Sequence, residues 1–243
     1  MLSKPKIKYI QTLGQKKFRE KERMFIAEGP KLVKELMESN TAKIQEIYAL
    51  KDWIGGNKKL TGQVPVTEIA ESELEKISQL STPNNVLAVV EQFATREITA
   101  KGNITLALDN IQDPGNLGTM IRVADWFGVT QIVCSPDCAD LYNPKVVQST
   151  MGSIARVNVL YVDLQEWLLK QKNIRIYAAV LEGQDITSIK KIQEGVIIIG
   201  NESKGISADV LHLANVKITI ARKGNAESLN AAVAAGIVLS HLM

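Results

Sequence analysis

The hydrophobic positions along the chain divide it into two stretches of alternating helices and strands. In the first, apolar residues at helical spacing predict a basic helix over residues 5–20 and another helix that begins at Pro30. Short apolar runs bounded by turn residues predict strands. The other predicted elements are strands at Met24–Ala27, Ile44–Leu50, Val64–Thr67 and Val86–Gln92, with short helices near Lys51–Leu60 and Ser72–Gln79. This pattern indicates a small α/β domain over residues 1–95.

A polar segment without apolar periodicity follows, and we interpret residues 96–103 as a linker. Beyond it the predicted strands are almost entirely apolar, as expected of a parallel sheet covered by helices on both faces. These strands are Ile104–Leu108, Gln131–Cys134, Ile174–Val180, Val196–Ile199 and Val216–Ile220. A last helix, predicted near Ala226–His241, is apolar enough to be buried. Residues 104–243 are therefore predicted to form a second α/β domain.

Positive charge is concentrated at the start of the 243-residue chain, although the net charge is only +3. Residues 1–34 carry ten basic and three acidic side chains, whereas residues 101–243 carry thirteen of each. A concentrated basic face favours a polyanionic partner, because Lys and Arg neutralise phosphates and release counterions. A solvated helix face explains the charge alone equally well. The candidate contacts for such a partner are Lys4, Lys6, Lys8, Lys16, Lys17, Arg19 and Arg23.

Several other functions find little support in the sequence. No apolar run approaches the roughly 20 residues that span a bilayer, which argues against a membrane protein. Cys134 and Cys138 lack a second pair, so we expect reduced thiols in a cytoplasmic protein and no zinc site. The histidines, His212 and His241, lie outside the candidate loops, which disfavours a metal site. Gly200 and Gly205 have the spacing of the two P-loop glycines, but Ile206 occupies the position of the P-loop lysine, which argues against such a site.

Three polar loops follow strands of the second domain, where ligands of open α/β sheets bind. Residues 109–118 lead into a helix whose Arg122 is placed one turn from a glycine-rich loop and suits a phosphate. Residues 199–207 place two glycines around polar residues. Residues 220–230 lead into the last helix, for which Asn225 is the predicted N-cap and Glu227 a first-turn residue.

These loops, in this order, resemble the signature motifs of the SpoU (TrmH-like) family of RNA ribose methyltransferases, within the SPOUT superfamily. The first motif, N-x-x-D-P-x-N-x-G-x-x-x-R-x-A, is matched at Asn110, Asp113, Pro114, Asn116, Gly118, Arg122 and Ala124. The second is matched at Gly200, Asn201, Glu202 and Gly205, and the third at Glu227, Ser228, Leu229, Asn230 and Ala234. Residues 143–157 resemble the family's middle segment, so the resemblance covers residues 104–243.

The N-terminal part is similar to a small domain attached to many family members. Residues 25–29 and the helix over residues 32–37 carry this likeness. In the family that domain binds the RNA substrate and is similar in fold to ribosomal RNA-binding proteins. The resemblance therefore agrees with the charge distribution, which was obtained independently of it.

The resemblance implies a deep trefoil knot, a homodimer formed by the C-terminal domain, and S-adenosylmethionine as the methyl donor. The acceptor would be a ribose 2′-hydroxyl in structured RNA, with 23S-type ribosomal RNA favoured over transfer RNA. Catalytic or substrate-positioning residues would be Asn116, Arg122, Glu202, Ser228 and Asn230, and Arg122 would also contact RNA. Cofactor contacts would come from Leu181, Glu182, Gly200, Ile220, Ser228 and Leu229. No metal is implied, because the donor is already a sulfonium.

The sequence departs from the family pattern at three places. Ser203 replaces a glycine, Ala221-Arg222 replaces Pro-Met, and Gln148 stands where arginine is common, although Arg156 remains. These departures could alter cofactor affinity or the subunit interface. A non-catalytic RNA-binding ribosome-assembly factor is the main alternative, followed by a transfer-RNA methyltransferase, a small-molecule methyltransferase and an unrelated nucleotide-binding enzyme.

Overall fold

The computed structural model describes residues 1–62 and 64–243 of the chain. These residues form two compact units, and each unit combines two segments of sequence. Unit 1 comprises Met1–Ala94 and Asp140–Ala155, and unit 2 comprises Thr95–Ala139 and Arg156–Met243. Contacts thus group residues 140–155 with the N-terminal residues, although the sequence pattern placed them in the second domain. The functional division at the linker 96–103 stays a prediction.

Both units are built from strands and short helices. The strands are β1 Met24–Glu28, β2 Ile44–Ala49, β3 Val66–Glu68, β4 Val86–Glu91, β5 Ile104–Asp109, β6 Gln131–Cys134, β7 Asn158–Tyr161, β8 Ile176–Asp185, β9 Gly195–Gly200 and β10 Val216–Thr219. The helices are α1 Lys4–Thr12, α2 Lys16–Glu22, α3 Pro30–Glu38, α4 Lys51–Gly56, α5 Lys58–Thr61, α6 Glu71–Ile77, α7 Pro114–Trp126, α8 Pro144–Thr150, α9 Leu164–Leu169, α10 Ala208–Leu211 and α11 Ala231–Leu242.

Unit 1 contains a four-stranded sheet with the strand order β1-β4-β2-β3. Helices α1 and α6 pack on it, and Ile10, Leu13 and Leu74 join Tyr48 in its core. The prediction of a single helix over residues 5–20 is wrong, because a turn over residues 13–15 separates α1 from α2. The carbonyls of Leu13 and Gly14 in this turn accept hydrogen bonds from the guanidinium of Arg19 at 3.0 and 2.8 Å, a contact that helical spacing does not reveal.

Unit 2 contains a six-stranded sheet with the order β10-β8-β9-β5-β6-β7, and all its strand pairs are parallel. Alternate strand residues, such as Ala107 and Ile198, pack in one core with Trp167 of α9 and Val210 of α10. The intervening residues are also buried, as expected of a sheet covered on both faces. The predicted parallel α/β fold is therefore confirmed. Sequence reasoning missed β7, a short half-buried edge strand.

The last helix begins at Ala231, five residues later than predicted. Its N-cap is Asn230, whose side-chain oxygen accepts hydrogen bonds from the backbone N–H groups of Ala232 at 2.9 Å and Val233 at 3.2 Å. The prediction of Asn225 as N-cap and Glu227 in the first turn is therefore wrong. Residues 221–230 are exposed and form a loop, because little in that segment can be buried before the alanine-rich run.

Parallel pairing brings the ends of the central strands of unit 2 to one edge of the sheet. Asp109 at the end of β5 pairs with Gly200 at the end of β9. The first two polar loops therefore start side by side. In the described part of the chain, no helix is long and apolar enough to cross a membrane.

Candidate active site

Three polar side chains from the three loops are joined by hydrogen bonds in unit 2. The amide of Asn116 donates from Nδ2 to the carboxylate of Glu202. Its oxygen Oδ1 accepts from Nδ2 of Asn230 at 2.9 Å. One amide thus bridges a carboxylate and a second amide, which fixes the orientation of all three groups. We call Asn116, Glu202 and Asn230 the polar triad.

Local structure places each member of the triad at a helix start or in a tight turn. Asp113 caps α7 and accepts from the backbone N–H of Asn116 at 2.8 Å, which sets the first turn of that helix. Asn230 caps α11 in the same way. Since N-cap and first-turn positions lie at helix ends, these side chains face outward from the sheet edge while their backbones stay fixed.

The loop that carries Glu202 is a closed turn. The backbones of Asn201 and Gly205 pair through two hydrogen bonds of 3.0 and 2.9 Å. The side chain of Asn201 accepts from the N–H groups of Ser203 and Lys204 and donates to the carbonyl of Asn110 at 2.9 Å. Gly205 takes the positive φ of this turn, 70°, so the family's usual glycine is not needed at Ser203.

Two residues that sequence reasoning did not select hold the first loop in place. Asp109 is buried, and its carboxylate accepts from the N–H of Ser207 at 2.7 Å, which ties the second loop to the end of β5. Cys138 accepts from the N–H of Ile111 at 3.2 Å and donates to the carbonyl of Leu108 at 3.3 Å. A polar residue directly after an apolar strand was the available signal for Asp109.

Cys134 and Cys138 are both buried and free, so the prediction of reduced thiols is confirmed. A hydrogen bond with Cys134 lowers the pKa of Cys138 to about 7, and donors at Ser135 and Ile111 act in the same direction against burial. The same thiol–thiol bond and complete burial raise the pKa of Cys134. Cys138 is therefore the more acidic thiol of the pair.

Two predicted catalytic residues do not join the triad. Arg122 is exposed on α7, and in residues 1–62 and 64–243 its guanidinium makes no hydrogen bond or ion pair. Ser228 lies in the exposed loop 221–230. Arg222, one of the departures from the family pattern, turns back on this loop and donates to the carbonyl of Ala226 at 3.2 Å. The chain therefore fixes three of the five predicted catalytic groups by its own contacts.

The predicted cofactor contacts are spread over three places: Leu181 and Glu182 lie within the irregular part of β8, Gly200 and Ile220 at the ends of β9 and β10, and Ser228 and Leu229 in the loop 221–230. Leu181 is 74% exposed although it is apolar, and its carbonyl accepts from Thr219 Oγ1 at 3.0 Å. At Gly183 a Cβ would lie 2.8 Å from the backbone of Lys217, so two chain segments pass in close contact there. Ile220 comes directly after the end of β10 and is half-buried, whereas Glu182 and Leu229 are exposed. At Gly200 a Cβ would lie 2.4 Å from the backbone of Gly205, so only glycine fits.

Most of the predicted RNA contacts in unit 1 are exposed, with two exceptions. Lys4, Lys8, Lys16, Lys17 and Arg23 are exposed. Lys6 is half-buried and pairs with Glu46 at 2.6 Å. Arg19 is only 3% exposed, and its guanidinium donates to the carbonyls of Leu13 and Gly14 and to the carboxylate of Asp140. The prediction of Arg19 as an RNA contact is therefore wrong, because the side chain is buried and both terminal nitrogens of its guanidinium are engaged inside the unit.

The remaining departures from the family pattern have ordinary environments. Arg156 pairs with Asp125 through Nε at 2.8 Å within unit 2. Gln148 is half-buried in unit 1, where its side chain lies near Gly29. Across the described residues, no group of three or more His, Cys, Asp or Glu side chains is arranged to hold a metal ion.

The chain is similar to known RNA methyltransferases over its whole length. Residues 103–240 match the SpoU rRNA Methylase family, and residues 4–88 match the MRM3-like substrate binding domain. The 23S rRNA (guanosine(2553)-2′-O)-methyltransferase RlmP of Bacillus subtilis is 32% identical over 98% of this chain and 95% of its own length. The 23S rRNA (uridine(2479)-2′-O)-methyltransferase of Streptomyces viridochromogenes is 31% identical over 65% of this chain and 59% of its own length.

Solved structures give the same result. An rRNA methyltransferase from Sinorhizobium meliloti, crystallised with S-adenosylmethionine bound, superposes with a TM-score of 0.86 at 30% identity and covers 100% of this chain and 95% of its own. The parallel sheet with three polar loops at one edge is thus the fold of an RNA methyltransferase. This chain belongs to the SpoU family of RNA methyltransferases, as its motifs predicted.

Proposed function

We propose that this protein transfers the methyl group of S-adenosylmethionine to a ribose 2′-hydroxyl of ribosomal RNA. The polar triad carries the proposal, since it joins the three family motifs in one hydrogen-bonded arrangement at the sheet edge. The two relatives described above are named as 2′-O-methyltransferases of 23S rRNA, which supports the ribose oxygen as acceptor. One is named for a guanosine and the other for a uridine, so these relatives do not indicate which base this protein's target nucleotide carries.

The residues at the strand ends fit S-adenosylmethionine. Leu181 and Leu229 offer exposed apolar surface for the purine and the methionine chain, and the adjacent backbone offers donors and acceptors. Because Gly183 and Gly200 have no side chain, neighbouring backbone segments approach closely at both positions. Backbone groups rather than side chains therefore line the surface there. When bound, the cofactor supplies a methyl group on a positively charged sulfur, which is already activated for transfer.

The chain's own residues would then act on the acceptor. A ribose hydroxyl is a poor nucleophile, so its alignment decides the rate. The Glu202 carboxylate can accept a hydrogen bond from a ribose hydroxyl, while the Asn116 and Asn230 amides hold that carboxylate and each other in place. We assign Arg122 the task of binding a phosphate beside the ribose, because a guanidinium can bind phosphate oxygens through two parallel hydrogen bonds.

RNA recognition is assigned to both units. The match of unit 1 to a substrate binding domain agrees with its exposed basic side chains, which suit phosphates of structured RNA. We propose that these contacts come from Lys4, Lys8, Lys16, Lys17 and Arg23. Lys6 stays a candidate, although its ammonium group also pairs with Glu46. An rRNA substrate would place the protein in the cytoplasm, as the sequence predicted.

We further propose a homodimer formed by α7 and α11. These helices pack on each other and carry exposed apolar side chains, with Trp126 84% exposed and Val233 and Ile237 also in solvent. Apolar patches of this kind usually mark interfaces. A deep trefoil knot is proposed for the same domain, as the family resemblance implies, and the close passage of Gly183 past Lys217 is compatible with it.

The decisive experiment is transfer of tritium from methyl-labelled S-adenosylmethionine to unmodified ribosomal and transfer RNA. We expect label in ribosomal RNA at one linkage that resists alkali, because a methylated 2′-oxygen cannot attack the neighbouring phosphate. Asn116→Ala is the inactive control, and Gln112→Ala, an exposed residue of the same loop, is the matched active control. Cofactor binding without label in any RNA would favour the non-catalytic assembly factor.

A further inference from the structure

A basic pocket lies in unit 2 away from the polar triad. It has a volume of about 300 Å³ and opens to solvent. Its lining includes the buried Tyr177 and the polar residues Gln184 and Ser188. The remaining lining residues are Arg175, Ile189, Lys190, Lys191, Ile192 and Val216. We call it the Arg175 pocket.

The charge of this pocket is uncompensated. Three of its lining residues are cationic and, among the described residues, none of the lining is acidic. Within that part of the chain, Arg175, Lys190 and Lys191 form no ion pair or side-chain hydrogen bond. The carboxylate of the neighbouring Asp185 accepts from the backbone and hydroxyl of Thr187, both at 2.8 Å. Three like charges around one pocket repel each other, and an anion between them relieves that repulsion.

The walls of the pocket are fixed by the sheet and by the last helix. Val196 N–H donates to the carbonyl of Arg175 at 3.0 Å, which anchors the arginine backbone beside β9. Ile192 N–H donates to the carbonyl of Leu242 at 2.7 Å, which anchors the segment that carries the two lysines. Gln184 donates to Ser188 Oγ at 3.0 Å. A backbone held by hydrogen bonds, with exposed basic side chains on it, suits a phosphate, which Arg can bind through two parallel hydrogen bonds.

Most of the pocket lies at the starts of the strands, opposite the edge that carries the polar triad, and Gln184 near the end of β8 closes its other side. Arg175, Ile192 and Val216 lie at or before the first residues of β8, β9 and β10. The triad lies beyond the opposite ends of the strands, where Asp109 pairs with Gly200. Six residues of strand separate the two edges, which corresponds to roughly 16 Å. An anion bound in the pocket would therefore belong to a different nucleotide from the one that is methylated.

We propose that the Arg175 pocket binds a phosphate group of the RNA backbone and so provides a second RNA contact on the catalytic unit. The inference rests on the proposed function, because it takes RNA as the substrate. Phosphate chemistry alone would also fit free inorganic phosphate. RNA is favoured because the pocket is open, carries three separate cations and belongs to a protein whose other unit also presents a basic face.

The test compares two double variants that remove the same charge. Lys190→Gln/Lys191→Gln alters the pocket, whereas Lys51→Gln/Lys101→Gln removes two exposed lysines elsewhere. Binding of unmodified ribosomal RNA is measured over a range of salt concentrations. We expect the pocket variant to weaken binding several-fold and to reduce the slope of log affinity against log salt by about 0.7–0.9 for each phosphate that it no longer neutralises. The kcat at saturating RNA should stay unchanged while KM rises.

A second measurement separates the two sources of phosphate. Inorganic phosphate is titrated into the wild-type protein while the Arg175 side-chain NMR signal is followed. Shifts with phosphate, together with equal RNA binding by the two double variants, would overturn the RNA assignment in favour of a free anion. Equal RNA binding without any shift would overturn the site altogether. Wild-type protein that binds RNA but does not methylate it would instead contradict the proposed function, since the salt dependence is read without catalysis.

Discussion

The polar triad and the loop over residues 221–229 belong to the same family motifs but differ in how the chain holds them. Asn116, Glu202 and Asn230 are linked by hydrogen bonds between side chains and are carried on capped helices and a closed turn. Ser228 and Leu229 stand in an entirely exposed loop, and Arg122 makes no contact with a charged partner in the described residues. The first group is preorganised by the fold, whereas the second acquires its geometry from what it binds.

The largest expected effect follows from breaking the preorganised group. Asn116→Ala removes both hydrogen bonds that connect the triad, so we expect kcat for RNA methylation to fall about 100- to 1000-fold, as for other preorganised polar groups. The affinity for S-adenosylmethionine should change little, because Asn116 lies outside the predicted cofactor contacts. Glu202→Gln, which keeps a hydrogen-bonding oxygen, should lose less than Glu202→Ala. A drop in cofactor affinity that matches the drop in kcat would contradict this division of roles.

A second prediction extends the comparison to the basic residues of unit 1. Arg19 is held inside the unit by Asp140 and two carbonyls, whereas Lys4 and Lys8 are exposed. Arg19→Met leaves the half-buried carboxylate of Asp140 without its cation and the carbonyls of Leu13 and Gly14 without a donor, so the free energy of unfolding should fall by about 2–3 kcal/mol. Denaturant unfolding measures this loss.

The matched variant Lys4→Met/Lys8→Met should leave stability unchanged and weaken RNA binding at low salt. If Arg19→Met kept full stability and lost RNA affinity instead, Arg19 would be an RNA contact after all.

The third prediction concerns Arg122, the exposed member of the catalytic set. We expect Arg122→Ala to lower kcat/KM by about tenfold, mainly through KM for RNA, since the variant cannot bind the phosphate beside the ribose. Arg122→Lys should recover only part of this, because lysine keeps the charge without the bidentate geometry. Steady-state kinetics at two salt concentrations would measure both effects. A loss confined to kcat, and insensitive to salt, would instead indicate a role in proton removal.

The smallest effect is expected from a buried carboxyl group that takes no part in the site. Glu28 in β1 accepts hydrogen bonds from Ser78 Oγ at 2.5 Å and Gln79 N–H at 2.7 Å, yet burial outweighs them and raises its pKa. A raised pKa stabilises the fold at pH values below the ordinary value near 4.5, and this contribution is lost as pH rises through the folded value.

Glu28→Gln should remove this pH dependence, because the amide can satisfy both partners without charge. Relative to wild type, the variant should therefore gain stability as pH rises from 4 to 7, as measured by urea unfolding. A relative loss of stability over that range would show that the ionised carboxylate is favoured in the folded chain. Ser72→Ala, an exposed change in unit 1, is the control.

Much of the fold could be predicted from the pattern of apolar residues, because buried parallel strands are almost entirely apolar. The core strands of unit 2 were predicted to within two residues at most ends, but β7 was missed because its four residues are only half-buried. The turn between α1 and α2 and the late start of α11 could not be predicted. The first is stabilised by hydrogen bonds from the buried Arg19, and the second is set by Asn230 as the cap.

The candidate site was predictable as a set of residues but not as an arrangement. Motif spacing placed Asn116, Glu202 and Asn230 in three loops, and parallel strand order implied a common edge. It did not reveal that one amide joins the other two groups, nor that Asp109 and Asn201 hold the loops in register. Such hydrogen bonds depend on tertiary packing between segments about 100 residues apart.

The most direct test of the account is a double-mutant cycle within the triad. Asn116→Ala and Asn230→Ser are made singly and together, where serine retains the N-cap of α11 but removes the amide that donates to Asn116. If the triad acts as one unit, the double variant should lose about as much kcat for ribose methylation as Asn116→Ala alone. Losses that simply multiply would show that the two residues act independently, and would contradict the central role of the hydrogen-bonded triad.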